Sequence, residues 1–155
     1  MSSSIEDINN WLLPLIPQQA PFRFIDRVLE VDDDRIAGQY TFKEDEFFYK
    51  GHFPENPITP GVILIECMAQ IGVVAFALYL LNKERSSFGE NAVTLFSDVE
   101  VEFVKPIFPG ETVTVKSEKI FWRRGKLKSK IELFKADGSL ACAGTLSGMG
   151  KVIDG

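Results

Sequence analysis

From Ala92 onward, apolar and polar residues alternate with a period of two. The alternating stretches are Val93 to Val104, Thr112 to Trp122, Lys126 to Phe134 and Leu140 to Met149. Between them lie Pro106-Ile107-Phe108-Pro109-Gly110, Arg123-Arg124-Gly125 and Asp137-Gly138, which are turn signals, so the pattern predicts four strands. Upstream, Phe22 to Val31 and Arg35 to Phe42 flank Asp32 to Asp34 and predict a hairpin. A helical period replaces this one twice. Ile5, Ile8, Leu12 and Leu15 recur at helical spacing after Ser4 and Asp7, a capping box with Asp for the usual Glu, and predict an amphipathic helix over about 5–13 that ends near Pro14. The second stretch, Gly61 to Lys83, is apolar nearly all round and so must be enclosed. Glu44 to Tyr49 reads as a short helical turn and Arg85 to Asn91 as a polar loop. About six mostly antiparallel strands and one wholly apolar helix predict an α+β fold in which the sheet wraps around that helix.

Size and charge narrow the possibilities. A chain of 155 residues with no repeat or linker is expected to form one domain, over 1–155. A formal net charge of -5 argues against nucleic acid as the main partner. Cys67 and Cys142 are the only cysteines and have no metal-binding spacing, so neither a disulfide framework nor a zinc site is indicated. The N-terminus MSSSIEDI has neither the basic start nor the apolar core of a signal peptide, and a cytoplasmic location is expected. Val62 to Leu81 approaches the length of a membrane span. It carries Glu66 and Gln70 and follows a proline-rich loop, which favours a helix buried in protein.

The chemistry gathers in Gly51 to Gln70, GHFPENPITPGVILIECMAQ, which contains the single histidine of the chain. Pro54, Pro57 and Pro60 each lock φ and bias the preceding residue towards extended backbone, so the loop carrying His52 is stiff. Histidine is the usual general base near neutral pH, so His52 is a candidate for that role. Glu66, set among Ile63, Leu64, Ile65, Cys67 and Met68, is expected to have a raised pKa and to keep a proton that it can donate. Gln70 lies one turn on and is placed to orient Glu66 by a hydrogen bond. The backbone N–H of Gly61, at the helix start, is placed to hold a developing oxyanion. Base, acid and oxyanion donor are the parts needed to remove a proton beside a carbonyl and eliminate a β-hydroxyl. No metal-ligand set or phosphate-binding glycine loop accompanies them, so no cofactor is expected.

These residues carry a resemblance. GHFPENPITPG leading into Glu66-Cys67-Met68-Ala69-Gln70 resembles the signature of the 3-hydroxyacyl-(acyl carrier protein) dehydratases, enzymes of the hot-dog fold. Pro21-Phe22 through Val28 resembles that family's PFxxxDRV segment, and Phe103 to Glu111 resembles its FxxPVxPGD turn. The likeness runs from about Ile5 to Met149. It implies His52 as catalytic histidine, Glu66 as catalytic carboxylate and Gly61 as oxyanion donor. It also implies an acyl carrier protein as the bearer of substrate, and a homodimer in which histidine and carboxylate of one site come from different subunits; some relatives are hexamers. Glu66 stands where the bifunctional dehydratase/isomerase branch usually has Asp, which favours the dehydratase-only type. The chain departs from the pattern at Gln18-Gln19-Ala20, where the family often has a histidine and a basic residue. It departs again at Leu95 to Val99, where the family often has a tunnel-gating tyrosine and an FAGID-like run.

The acyl tunnel is expected to be lined by Phe53, Pro60, Val62, Leu95 and Phe96. Arg123, Arg124 and Lys126, with Lys128 and Lys130, form the one dense basic cluster, suited to steering an acidic carrier protein. The expected activity is conversion of a (3R)-hydroxyacyl thioester to the trans-2-enoyl thioester, in fatty acid or a related polyketide or aryl polyene synthesis. Two alternatives share the fold: a hot-dog thioesterase, and a non-catalytic acyl-binding subunit, against which the His52/Glu66 pair argues.

Overall fold

The computed structural model describes residues 4–84 and 92–152; the expected loop from Arg85 to Asn91 lies outside them. The first helix, α1 (Ile5–Leu12), opens at Ser4, whose Oγ accepts from the Asp7 N–H at 3.1 Å, and closes in a 3-10 turn, Leu13–Leu15, containing Pro14. Strands β1 (Arg27–Val31) and β2 (Arg35–Thr41) form the predicted hairpin. After the proline loop, α2 (Gly61–Ala69), a π turn (Gln70–Ala75) and α3 (Phe76–Lys83) run on as one rod. Strands β3 (Ala92–Phe103), β4 (Thr112–Arg123), β5 (Lys126–Phe134) and β6 (Leu140–Val152) complete a single antiparallel sheet in the order β1-β2-β4-β5-β6-β3. This is the hot-dog arrangement expected from the alternation pattern and the resemblance.

One face of the sheet packs on the rod. Val113, Val115, Leu127, Ile131, Leu133 and Leu146 are fully buried, against Met68, Ile71 and Phe76 from the helix. Each such side chain contributes roughly 1.5–3 kcal/mol by leaving water. Gly72 lets the rod approach: a Cβ there would lie 2.5 Å from Ile131 Cδ1 and 3.1 Å from Ser117 Cβ. Ser117 Oγ donates to the Gly72 carbonyl at 3.0 Å within the π turn. By length and composition Gly61–Lys83 could cross a membrane, but 78% of its apolar window is buried inside this fold.

The first strand starts later than its composition predicts. Phe22 to Asp26 lie outside any ladder, and the strand begins at Arg27. The Asp26 N–H already reaches the Gln39 carbonyl at 2.8 Å, but at Phe22 and Phe24 the backbone bonds a side chain. Gln70 Nε2 donates to the Phe22 carbonyl at 2.9 Å, and the Phe24 N–H donates to Gln70 Oε1 at 2.6 Å. The central helix likewise departs from a uniform α-helix at its π turn.

Candidate active site

Three hydrogen bonds close the histidine loop on itself. The His52 N–H donates to the Phe48 carbonyl at 3.1 Å, the Asn56 N–H to Phe53 at 3.0 Å and the Ile58 N–H to His52 at 3.0 Å. Two more tie its far end down, Tyr49 Oη to Thr59 Oγ1 at 2.6 Å and the Thr59 N–H to the Ile107 carbonyl at 2.9 Å. The His52 ring stacks on Phe53, 4.1 Å between centroids, and the peptide joining the two is cis. His52 Nδ1 lies 2.9 Å from the Ile58 carbonyl oxygen. A carbonyl only accepts, so Nδ1 carries the hydrogen and donates it, which leaves the lone pair on Nε2. The ring is thus held in the tautomer a base needs.

His52 shares a surface pocket with Gly61, Leu64, Phe103, Val104 and Lys105. The helix N-cap is Pro60, with no side-chain hydrogen bond, so the Gly61 N–H in the first turn has no intrahelical acceptor. Phe103 closes over this N-terminus: a Cβ on Gly61 would lie 2.9 Å from its Cζ. A pocket with a basic nitrogen on one wall and a free N–H at a helix N-terminus on another suits an enolate-like oxygen beside an acidic C–H.

Glu66 faces a different pocket, with Gln18, Ala69, Val73, Leu95 and Phe96 among its walls. Its volume is about 220 Å³, against roughly 30 Å³ for one water in the liquid, so it has room for a short acyl group. Burial pushes the Glu66 carboxyl above its usual range, opposed by the hydrogen bond from Gln70 Nε2 at 2.7 Å. Gln70 is fully buried. The two pockets have no lining residue in common. One chain therefore holds a histidine beside a helix N-terminus in one place and a buried carboxyl in another.

Of the remaining expected residues, Leu95 and Phe96 line the Glu66 pocket, Phe53 packs on His52 while half exposed, and Pro60 is buried at the N-cap. Val62 lines neither pocket and is 72% exposed. Arg123, Arg124 and Lys126 sit on the β4–β5 hairpin, with Arg123 stacked over Phe121. Lys126 pairs with Met149, which pairs with Leu95, so this hairpin flanks the Glu66 end of β3. Among the pocket residues that were not anticipated are Lys105 and Gln18. Lys105 beside His52 lies within the turn motif already noted, and Gln18 beside Glu66 lies where the chain leaves the family pattern. Among the described residues no group of three or more His, Cys, Asp and Glu side chains could hold a metal ion.

Residues 16–146 match the family model of the FabA-like domain. The chain belongs to this family. Among FabA-like relatives, the 3-hydroxyacyl-(acyl-carrier-protein) dehydratase FabZ of Caldicellulosiruptor bescii is 36% identical over 141 residues, covering 87% of this chain and 92% of that protein. FabZ of Acinetobacter baumannii is 39% identical over 115 residues, covering 73% and 75%. The dehydratase heterocomplex ApeI:P of Xenorhabdus doucetiae provides a solved chain similar in fold, with a TM-score of 0.74, 16% identity and 89% of each chain covered. The FabA-like assignment spans both pockets, since His52, Gly61, Glu66 and Gln70 all fall within the matched residues.

Proposed function

We propose that this chain is a 3-hydroxyacyl-(acyl carrier protein) dehydratase that works as a cytoplasmic homodimer with shared active sites. The observation that carries the reading is the pair of pockets: His52 held with Nε2 free beside the Gly61 N–H, and a Glu66 whose carboxyl burial pushes upward, pinned by Gln70. His52 Nε2 takes the α-proton of a (3R)-hydroxyacyl thioester. The electrons move onto the thioester oxygen, which accepts from the Gly61 N–H, and return as the C–O bond breaks. The departing hydroxyl takes the Glu66 proton and leaves as water, giving the trans-2-enoyl thioester. Proton transfer from His52 back to Glu66 then resets the site.

Edge strand β3 supports the shared site. It pairs with β6 on one side only, and Leu95, Phe96, Val99 and Phe103 along it are exposed. A long apolar edge with unmet backbone groups is a template for another strand. The Glu66 pocket uses its Leu95–Phe96 end and the His52 pocket its Phe103 end. Two β3 strands paired antiparallel about a two-fold axis lay one copy's Leu95–Phe96 end beside the other's Phe103 end. Each Glu66 pocket then meets the partner's His52 pocket. The exposed Val62, at the helix start beside Phe103, is assigned to the same interface.

The test is turnover of 3-hydroxybutyryl-(acyl carrier protein). Enoyl absorbance is expected to rise with no release of free thiol; thiol release without enoyl formation would make the protein a thioesterase. His52→Ala and Glu66→Gln are each expected to lower turnover by roughly 10²–10⁴-fold with the dimer intact. Retained turnover refutes the assignment. Charge reversal at Arg123 and Arg124 is expected to raise KM for the carrier-bound substrate and to spare a small thioester. Equal effects on both substrates remove the docking role.

A further inference from the structure

The Glu66 pocket holds one polar side chain that dehydration, as written above, does not use. Gln18 stands on the connector after α1 and lines this pocket together with Glu66, Leu95 and Phe96. Its Oε1 is buried and has no hydrogen-bond partner among the described residues. An amide oxygen left in that state is costly, so the site is set up for a donor. Among the described residues the neighbouring amides have no donor to spare, and the Glu66 proton is the one the reaction consumes. Gln70 Nε2 spends both hydrogens, on Phe22 and Glu66, and Gln19 Nε2 donates to the Ile16 carbonyl at 3.0 Å. Ala69, Val73 and Val74 add only apolar wall. Within the single chain this oxygen therefore lacks a donor, and a hydroxyl entering the pocket can supply one.

A 3-hydroxyacyl thioester brings one donor into this pocket, because its hydroxyl must reach the Glu66 proton. We infer that the Gln18 side-chain amide is a subsite for the departing 3-hydroxyl group. The last torsion of a glutamine is broad, and turning it presents Oε1 to the cavity. The hydroxyl hydrogen is donated to Oε1, and a lone pair of the hydroxyl oxygen stays aimed at Glu66. When the C–O bond breaks, that oxygen takes the Glu66 proton and departs as water with its original O–H still on Gln18; the α-proton goes to His52 as before. This subsite rests on the dehydratase reading.

The test separates hydroxyl recognition from packing and from turnover. Two pantetheine amides that do not eliminate, a 3-hydroxybutyramide and a butyramide, are titrated calorimetrically into the wild-type dimer and into Gln18→Leu. The wild type is expected to prefer the hydroxylated ligand. Gln18→Leu is expected to weaken that ligand about tenfold, to leave the butyramide within about twofold, and to lower kcat on 3-hydroxybutyryl-(acyl carrier protein). Equal weakening of both ligands, no weakening of either, or a wild type without preference overturns the inference. If Gln18→Leu does not fold, Gln18→Asn, whose shorter amide falls short of the hydroxyl, is read in the same way. Absence of enoyl product from the wild type refutes dehydration, while the two binding constants still report on the subsite.

Discussion

Gln70 Nε2 donates to Glu66 Oε2 at 2.7 Å, and the same amide holds the Phe22 carbonyl and the Phe24 N–H from the segment that crosses the helix. One buried side chain therefore holds the Glu66 carboxyl and anchors the chain leading into β1. Removing it orphans backbone groups as well as the carboxylate contact. Gln70→Leu is expected to cost about 2–5 kcal/mol, since each buried polar group left unpaired costs about 1–3 kcal/mol. Because the Gln70 bond opposes the rise in the Glu66 pKa, its loss raises that pKa further. If protonated Glu66 is the acid, the alkaline limb of the pH–kcat profile moves upward in the variant. Denaturant unfolding measures the first effect and the pH profile the second.

That bond explains both a success and a failure of reading the sequence. Glu66 and Gln70 are four apart on an obviously helical stretch, so their contact is legible from periodicity alone. His52 and Gly61 are equally legible, because prolines and a helix start mark them locally. The bonds from Gln70 to Phe22 and Phe24 span 48 and 46 residues and leave no local signal, so Phe22 to Asp26 look like strand until the helix is laid against them. The π turn at Gln70–Ala75 is hidden for the same reason: Ser117 and Ile131, which crowd Gly72, arrive from β4 and β5. Gln18 carries no pattern at all. Only the burial of its oxygen sets it apart.

Glu66 also makes stability depend on pH. Its folded-state pKa is raised, chiefly by burial, so between the ordinary carboxylate value and the raised value the folded chain binds more protons than the unfolded one. The slope of stability with pH is then negative in that window. Its contribution is most favourable below the unfolded pKa and falls as pH rises to the folded value, beyond which it is constant. Glu66→Gln keeps an acceptor for Gln70 and cannot ionise. Relative to wild type it is expected to gain stability progressively from acid to neutral pH. Urea midpoints at a series of pH values check this; a difference independent of pH would contradict it.

In the proposed dimer, assembly depends on the β3 edge. Val99 lies mid-strand and is 39% exposed, and a charge there would be forced into the strand-to-strand contact. Val99→Lys is expected to leave the subunit folded, because the site is open in the single chain, and to shift the protein from dimer to monomer. Sedimentation velocity reads the shift. On the shared-site reading, turnover falls with the dimer fraction.

The strictest prediction combines two dead variants. His52→Ala lacks the base in every copy and Glu66→Gln the acid, so each homodimer is inactive. A mixed dimer differs. If a site takes His52 from one subunit and Glu66 from the other, one of its two sites joins the intact histidine of the Glu66→Gln chain to the intact glutamate of the His52→Ala chain. The second site has neither. Random mixing of equal amounts makes half of the dimers mixed, and activity is expected to recover to about a quarter of wild type, as the symmetry of a two-site dimer dictates. A site built within a single chain gives no recovery at any mixing ratio. Co-expression of the two variants with different tags, followed by isolation of the doubly tagged dimer, doubles the expected value to about half and distinguishes complementation from wild-type carry-over.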